Sequence, residues 1–139
     1  MPPRRRPSDD PREWLNRARS DLTMAKTQGP EIYYEDLCFH AQQAAEKAIK
    51  SILLFHGISF PYVHDIRELI RLLKRKAVNV PARVGKAREL TNYAVETRYP
   101  GLSEPVSDKE YRDAVALAET VLRWADRQIA QQKTRRRKS

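Results

Sequence analysis

The chain has 139 residues, 27 Lys and Arg against 18 Asp and Glu, a formal net charge of +9, and 40% hydrophobic residues. That size suits one domain with a buried core, and no run of about 18 apolar residues exists to cross a membrane as a helix. The single Cys38 excludes an intramolecular disulfide and points to a reducing, cytoplasmic setting, and three scattered histidines offer no metal-ligand spacing, so no metal or cofactor is expected.

The charge is unevenly spread. Arg4, Arg5 and Arg6 and the five cations between Lys133 and Lys138 carry most of the net excess, which leaves residues 9–132 nearly neutral. The chain therefore reads as a basic, disordered N-terminal tail (1–8), a helical body (9–132) and a basic C-terminal tail (133–139). Such tails either solubilise the termini or hold phosphates through counterion release. The N-terminal stretch has no apolar segment, so it does not read as a secretory signal.

Asp10, Pro11 and Glu13 form a helix start, with Asp10 as N-cap, Pro11 at N1 and Glu13 at N3. Leu15, Ala18, Leu22 and Ala25 follow at helical spacing, and Gln28–Gly29–Pro30 ends that helix. The second helix, from near Tyr34 to Gly57, is the longest uninterrupted signal. Leu37, Ala41, Ala44, Ala45, Ala48, Ile49, Ile52 and Phe55 share one face, with His40, Gln43, Lys47 and Lys50 opposite. Its alanines permit close helix approach, and its apolar breadth marks it as central.

A short third helix carries Ile66, Leu69, Ile70 and Leu73, with Asp65 placed to cap it and Lys74–Lys76 at its C-terminus. The fourth is expected from Pro81 to about Arg98, where Tyr99–Pro100–Gly101 stops it. Ser107 to Glu110 is a capping-box pattern opening the last helix, whose stripe is Ala114, Leu117, Ala118, Val121, Leu122, Ala125 and Ile129. No segment alternates with period two. The fold class is all-α: an antiparallel bundle of about five helices, four principal and one short.

Three pieces, read together in this order, resemble a known family: AEKAIK at Ala45–Lys50, HDIRELI at His64–Ile70, and YAVETRYP at Tyr93–Pro100. The chain is similar to small prokaryotic HEPN-domain proteins over roughly residues 12–130. The resemblance implies a homodimer, often encoded with a minimal nucleotidyltransferase (MNT) in a toxin–antitoxin-type pair. It also implies, in catalytic members, a metal-independent ribonuclease with an Arg-x4–6-His motif. Here the positions that histidine would take after Arg98 are Ser103, Glu104 and Pro105, and no arginine stands at that distance before His40, His56 or His64. No general base for the 2′-hydroxyl is supplied by this motif, and no catalytic residue is assigned.

The expected role is then binding of a nucleotide or RNA phosphate, or pairing with an MNT partner. Arg98 is the candidate phosphate clamp and Tyr99 the candidate base contact. Lys47 and Lys50, three residues apart on the second helix, form a candidate phosphate-facing strip, against a solvated face with Glu46 paired to Lys50. His64 and Asp65 are a candidate base and orienting carboxylate, against a helix cap and a packed imidazole. Two alternatives stay open: a ribonuclease with a divergent site joining Arg98 and His64, and a structural bundle that only binds a partner.

Overall fold

The computed structural model describes residues 1–60, 62, 65–94 and 105–138, with side chains of the last helix described to Gln131. Among the described residues five α-helices form the bundle: α1 Pro11–Ala25, α2 Tyr34–Phe55, α3 Ile66–Arg75, α4 Ala82–Gly85 and α5 Asp108–Lys138. A 3₁₀ helix, Lys86–Ala94, continues directly from α4. Among the described residues there is no strand, and no helix is long and apolar enough to cross a membrane.

The second helix is the hub, packed against α1, α3, α5 and the 3₁₀ helix. Its alanine stripe is fully buried, as are Ile49 and Ile52, and Leu53 is buried beside them. Small side chains let α1 and α5 lie close to α2, and α1 contributes Leu15, Ala18 and Ala25 to the same core. From α5 come Ala114, Ala118, Val121, Trp124, Ala125 and Ile129. Tyr111 adds a tie that periodicity does not reveal, its ring buried and its hydroxyl donating to the Ala25 carbonyl at 2.7 Å. Arg19–Asp126 and Lys26–Glu119 pair α1 with α5 in descending against ascending order, which fixes the two helices antiparallel.

Helix ends follow local chemistry. Asp10 caps α1 through the Arg12 N–H at 2.9 Å. Glu13 does not reach back to complete a capping box; it accepts from the Arg6 N–H at 2.8 Å and from Arg17 at 2.6 Å. With Trp14 donating to the Ser8 carbonyl, these bonds lay the N-terminal segment against α1. At α5 the box is complete, Ser107 Oγ accepting from the Glu110 N–H and Glu110 from the Ser107 N–H, each at 3.1 Å. The α5 backbone runs on to Lys138, through the segment read as a basic tail.

Both α2 and α3 end in the same double-bonded turn. After α2, Ile58 N–H donates to Leu53 and Gly57 N–H to Leu54, with Gly57 at φ 69. After α3, Val78 N–H donates to Leu73 and Ala77 N–H to Lys74, with Ala77 at φ 60. These are Schellman motifs, in which the residue with positive φ is usually glycine.

The fourth helix departs from the sequence expectation. Its α geometry lasts four residues, then tightens to 3₁₀. Thr91, Asn92 and Tyr93 are weak α-formers. The Arg88 guanidinium also occupies the Gly85 carbonyl at 3.1 Å, an acceptor that α geometry would offer to Glu89. The expected end at Arg98 lies outside the described residues.

Candidate functional site

Beside the apolar seam, α1 and α2 share a polar one. Glu13, Arg17 and Asp21 recur every four residues on α1, and His40, Gln43, Lys47 and Lys50 recur at spacings of three and four on α2. Both sets are helical stripes, so packing the helices antiparallel lays one along the other.

Asp21, only 4% exposed, is the centre of one cluster. Its carboxylate accepts from Lys47 Nζ at 2.5 Å and lies 3.1 Å from His40 Nδ1. Lys50, 3% exposed, anchors a second cluster. It bonds Glu46 at 3.1 Å, and the other Glu46 oxygen accepts from Gln42, which in turn accepts from Gln43 at 2.8 Å. The ammonium also sits 5.5 Å from the ring centroids of both Trp14 and Phe60, which meet edge to face at 6.0 Å. A desolvated cation over two aromatic faces gains from their quadrupoles.

Of these groups Trp14, Gln43, Glu46, Lys47 and Lys50 wall a cavity of about 400 Å³, to which Arg6, Glu13, Arg17 and Tyr62 also contribute. The Arg6 N–H, then the Arg17 guanidinium, hold the Glu13 carboxyl below the usual carboxylate range. Four cations (Arg6, Arg17, Lys47 and Lys50) face two carboxylates (Glu13 and Glu46) on this wall, an excess that favours an anionic occupant. Because the Asp21 carboxylate can only accept, His40 Nδ1 is the donor of that bond, and the His40 side chain is 32% exposed.

Lys47 and Lys50 are thus brought to one cavity, but neither is a free phosphate clamp. Each already has a carboxylate at bonding distance, because an unpaired buried ammonium would be costly. Nor is Lys50 on a solvated face: the i,i+4 pair with Glu46 is inside the protein. Asp65 stands away from this cavity as the N-cap of α3, accepting from the Arg67 N–H at 2.9 Å and from Arg67 Nε at 3.3 Å, so the capping role is the one it fills. His64, Arg98 and Tyr99 lie outside the described residues.

Several site residues were not foreseen. His40 has no partner visible in the sequence, because Asp21 is 19 residues away on another helix. The regular i,i+4 recurrence of charge on α1 was the available signal. Trp14 is half-buried and forms a cavity wall, whereas Trp124 is buried in the core. Burial, with Glu35 and Glu110 nearby, pushes the Cys38 thiol up to about 12, which leaves it protonated and unreactive. Burial likewise raises the Tyr93 phenol to about 12, with Cys38, Glu110 and Asp113 adding to the effect.

The comparisons with known proteins agree on one family. The HEPN domain matches residues 11–128. MJ1304 of Methanocaldococcus jannaschii, named as a candidate toxin, is 31% identical over 97 residues, which span 63% of this chain and 61% of that protein's length. Among solved structures, TT1696 from Thermus thermophilus shares 33% identity at a TM-score of 0.73, covering 84% of this chain and 96% of its own. ST0689, an archaeal HEPN homologue, shares 30% at a TM-score of 0.70, covering 86% and 98%. The match takes in every helix of the bundle from α1 into α5, and the chain belongs to the HEPN domain family.

Proposed function

We propose that this protein is the HEPN member of a HEPN–MNT pair of toxin–antitoxin type, working as a homodimer and binding a phosphate-bearing ligand rather than cleaving RNA through the family motif. The observation that carries the reading is a HEPN chain in which Arg98, ahead of the segment leading to α5, has no histidine five to seven residues later. The toxin-type name of MJ1304 supports the pairing, and the cation excess of the α1–α2 cavity supports an anionic ligand there. In this reading a nucleotide or RNA phosphate competes with Asp21 and Glu46 for Lys47 and Lys50, and Arg98 and Tyr99 remain candidate contacts from the sequence alone. If the partner transfers a nucleotide to this chain, Tyr33 and Tyr62 are the described tyrosines with exposed rings. The Tyr34 hydroxyl, by contrast, donates to Asp108 and its ring stacks on Tyr111.

The test is calorimetry and thermal shift of the purified protein with nucleoside mono-, di- and triphosphates, run beside Arg98→Ala and Lys47→Ala. A ligand that binds only the folded state at 100 times its Kd raises stability by about 2.7 kcal/mol. Binding lost in both variants supports the reading. A flat screen, together with failure to co-purify a co-expressed nucleotidyltransferase, would refute it.

A second reading has a specific observation in its favour. The Asp21–His40 pair offers an oriented imidazole beside an ammonium, the parts a divergent nuclease would use. RNA degradation that disappears in His40→Gln would establish it.

A further inference from the structure

Positive charge in the folded body is partitioned. From Arg12 to Arg71, and again from Lys109 to Arg123, every described lysine and arginine is ion-paired with a carboxylate. Between Leu69 and Arg88 the sequence holds seven cations and no acid, and after Asp126 it holds no acid to the end. The fold brings these two acid-free stretches to one end of the bundle. There Lys76 from the end of α3, Arg83 from α4 and Arg127 from α5 line a concavity of about 490 Å³. The rest of its wall includes His56, Asn79 and Gln128, and no carboxylate among the described residues lines it. None of the three cations has a carboxylate partner among the described residues, although carboxylates neutralise the cations elsewhere in the body. Lys74, Arg75 and Lys86 flank the concavity in sequence and are exposed. The α5 backbone carries on from its rim for eleven more residues to Lys138, through five further cations.

We infer that this end of the bundle is a second binding surface, distinct from the α1–α2 cavity, that docks the phosphodiester backbone of a single-stranded nucleic acid. Unpaired cations in an acid-free hollow keep their full charge for phosphates, and each one engaged releases a counterion. Base identity is not read. Trp124, the one aromatic in the lining apart from His56, is 2% exposed and offers no stacking face. A membrane surface is disfavoured, because the exposed large hydrophobic side chains (Met1, Met24, Ile32, Tyr33 and Tyr62) all belong to other parts of the chain. The inference does not depend on a ligand in the α1–α2 cavity.

The experiment is fluorescence anisotropy of the full chain with labelled single-stranded RNA and DNA oligonucleotides of equal length and two base compositions, across a salt series. It compares the wild type, the triple variant Lys76→Gln/Arg83→Gln/Arg127→Gln, and a control, Lys109→Gln/Arg112→Gln, that removes two paired cations at the far end of α5. Losing three phosphate contacts lowers the slope of log K against log salt by about 2, and affinity in 0.1 M salt by on the order of 100-fold. The wild type is expected to bind without base preference, the control to keep most of its affinity, and the triple variant to melt as the wild type does. RNA and DNA bound alike assign the site to phosphate alone; a preference for RNA that the triple variant abolishes assigns it to RNA. Unchanged affinity and slope in the triple variant overturn the inference, as does an equal loss in the control. Binding to phosphatidylserine vesicles in place of either oligonucleotide overturns it in favour of a membrane surface. Nucleotide calorimetry on the same triple variant, expected to match the wild type, separates a failure here from a failure at the α1–α2 cavity.

Discussion

Lys50→Met is the sharpest perturbation of the polar seam. The side chain is 3% exposed and its partner Glu46 is 1% exposed, with 3.1 Å between the charged atoms. Methionine keeps most of the aliphatic stem against Trp14 and Phe60 but removes the charge. Glu46 then stays inside the protein without its ammonium. Breaking one side of a buried pair costs about 3–5 kcal/mol, while replacing both charges costs far less. The attraction of the ammonium to the Trp14 and Phe60 rings forms part of the same figure. For a protein of this size about 3 kcal/mol corresponds to a fall of roughly 10 °C in Tm, a large share of a total stability of about 5–15 kcal/mol. The assay is urea unfolding of the wild type, Lys50→Met, Glu46→Gln and the double variant, which closes a double-mutant cycle. The double variant is expected within about 1 kcal/mol of the wild type, far below the sum of the two single costs, with m unchanged. A Lys50→Met cost below about 1 kcal/mol, with the two single effects simply adding, would show that water screens the pair and refute the burial argument.

The two Schellman turns invite reciprocal substitutions. A Cβ at Gly57 would meet nothing within 4 Å, so Gly57→Ala reports backbone strain alone and is expected to cost about 1 kcal/mol in urea unfolding. Ala77→Gly relieves that strain and is expected to stabilise by about 0.5 kcal/mol after its unfolded-state entropy penalty, and a loss of stability there would refute the assignment. Ser107→Ala removes the α5 cap and should cost about 1 kcal/mol, with hydrogen exchange faster at the Glu110 amide. Cys38 should resist alkylation in the native protein and react readily in urea; labelling at the rate of a free thiol would contradict its burial. The raised Cys38 and Tyr93 values also set an alkaline limit. Both groups stay protonated in the fold while their unfolded counterparts ionise, so the stability they contribute is intact below about pH 9 and drains away towards pH 12. A midpoint of urea unfolding that holds steady across that window would disprove the point.

The helices were legible in the sequence because their signals are local. Apolar recurrence at three and four, Asp10 and Ser107 as caps, and Gly57 as a stop each act over a few residues, and α1, α2, α3 and α5 appear where those signals lie. The resemblance in three short motifs named the family for the same reason. The 3₁₀ stretch escaped because its apolar spacing suits either helix type, and the choice rested on weak formers and on one arginine bonded to Gly85.

Pairing across elements was not local and could not be read in advance. Whether Lys50 faced water or Glu46, and whether His40 had a carboxylate, depended on how α1 lies along α2. That depends in turn on alanines shared by a core made from three other helices. The same holds for charge. The sequence states how many cations there are and which stretches lack acids, because both are matters of counting. Only packing decides which cations meet carboxylates and which are left together at one end, since neutralisation requires two side chains to come within a few ångströms of each other.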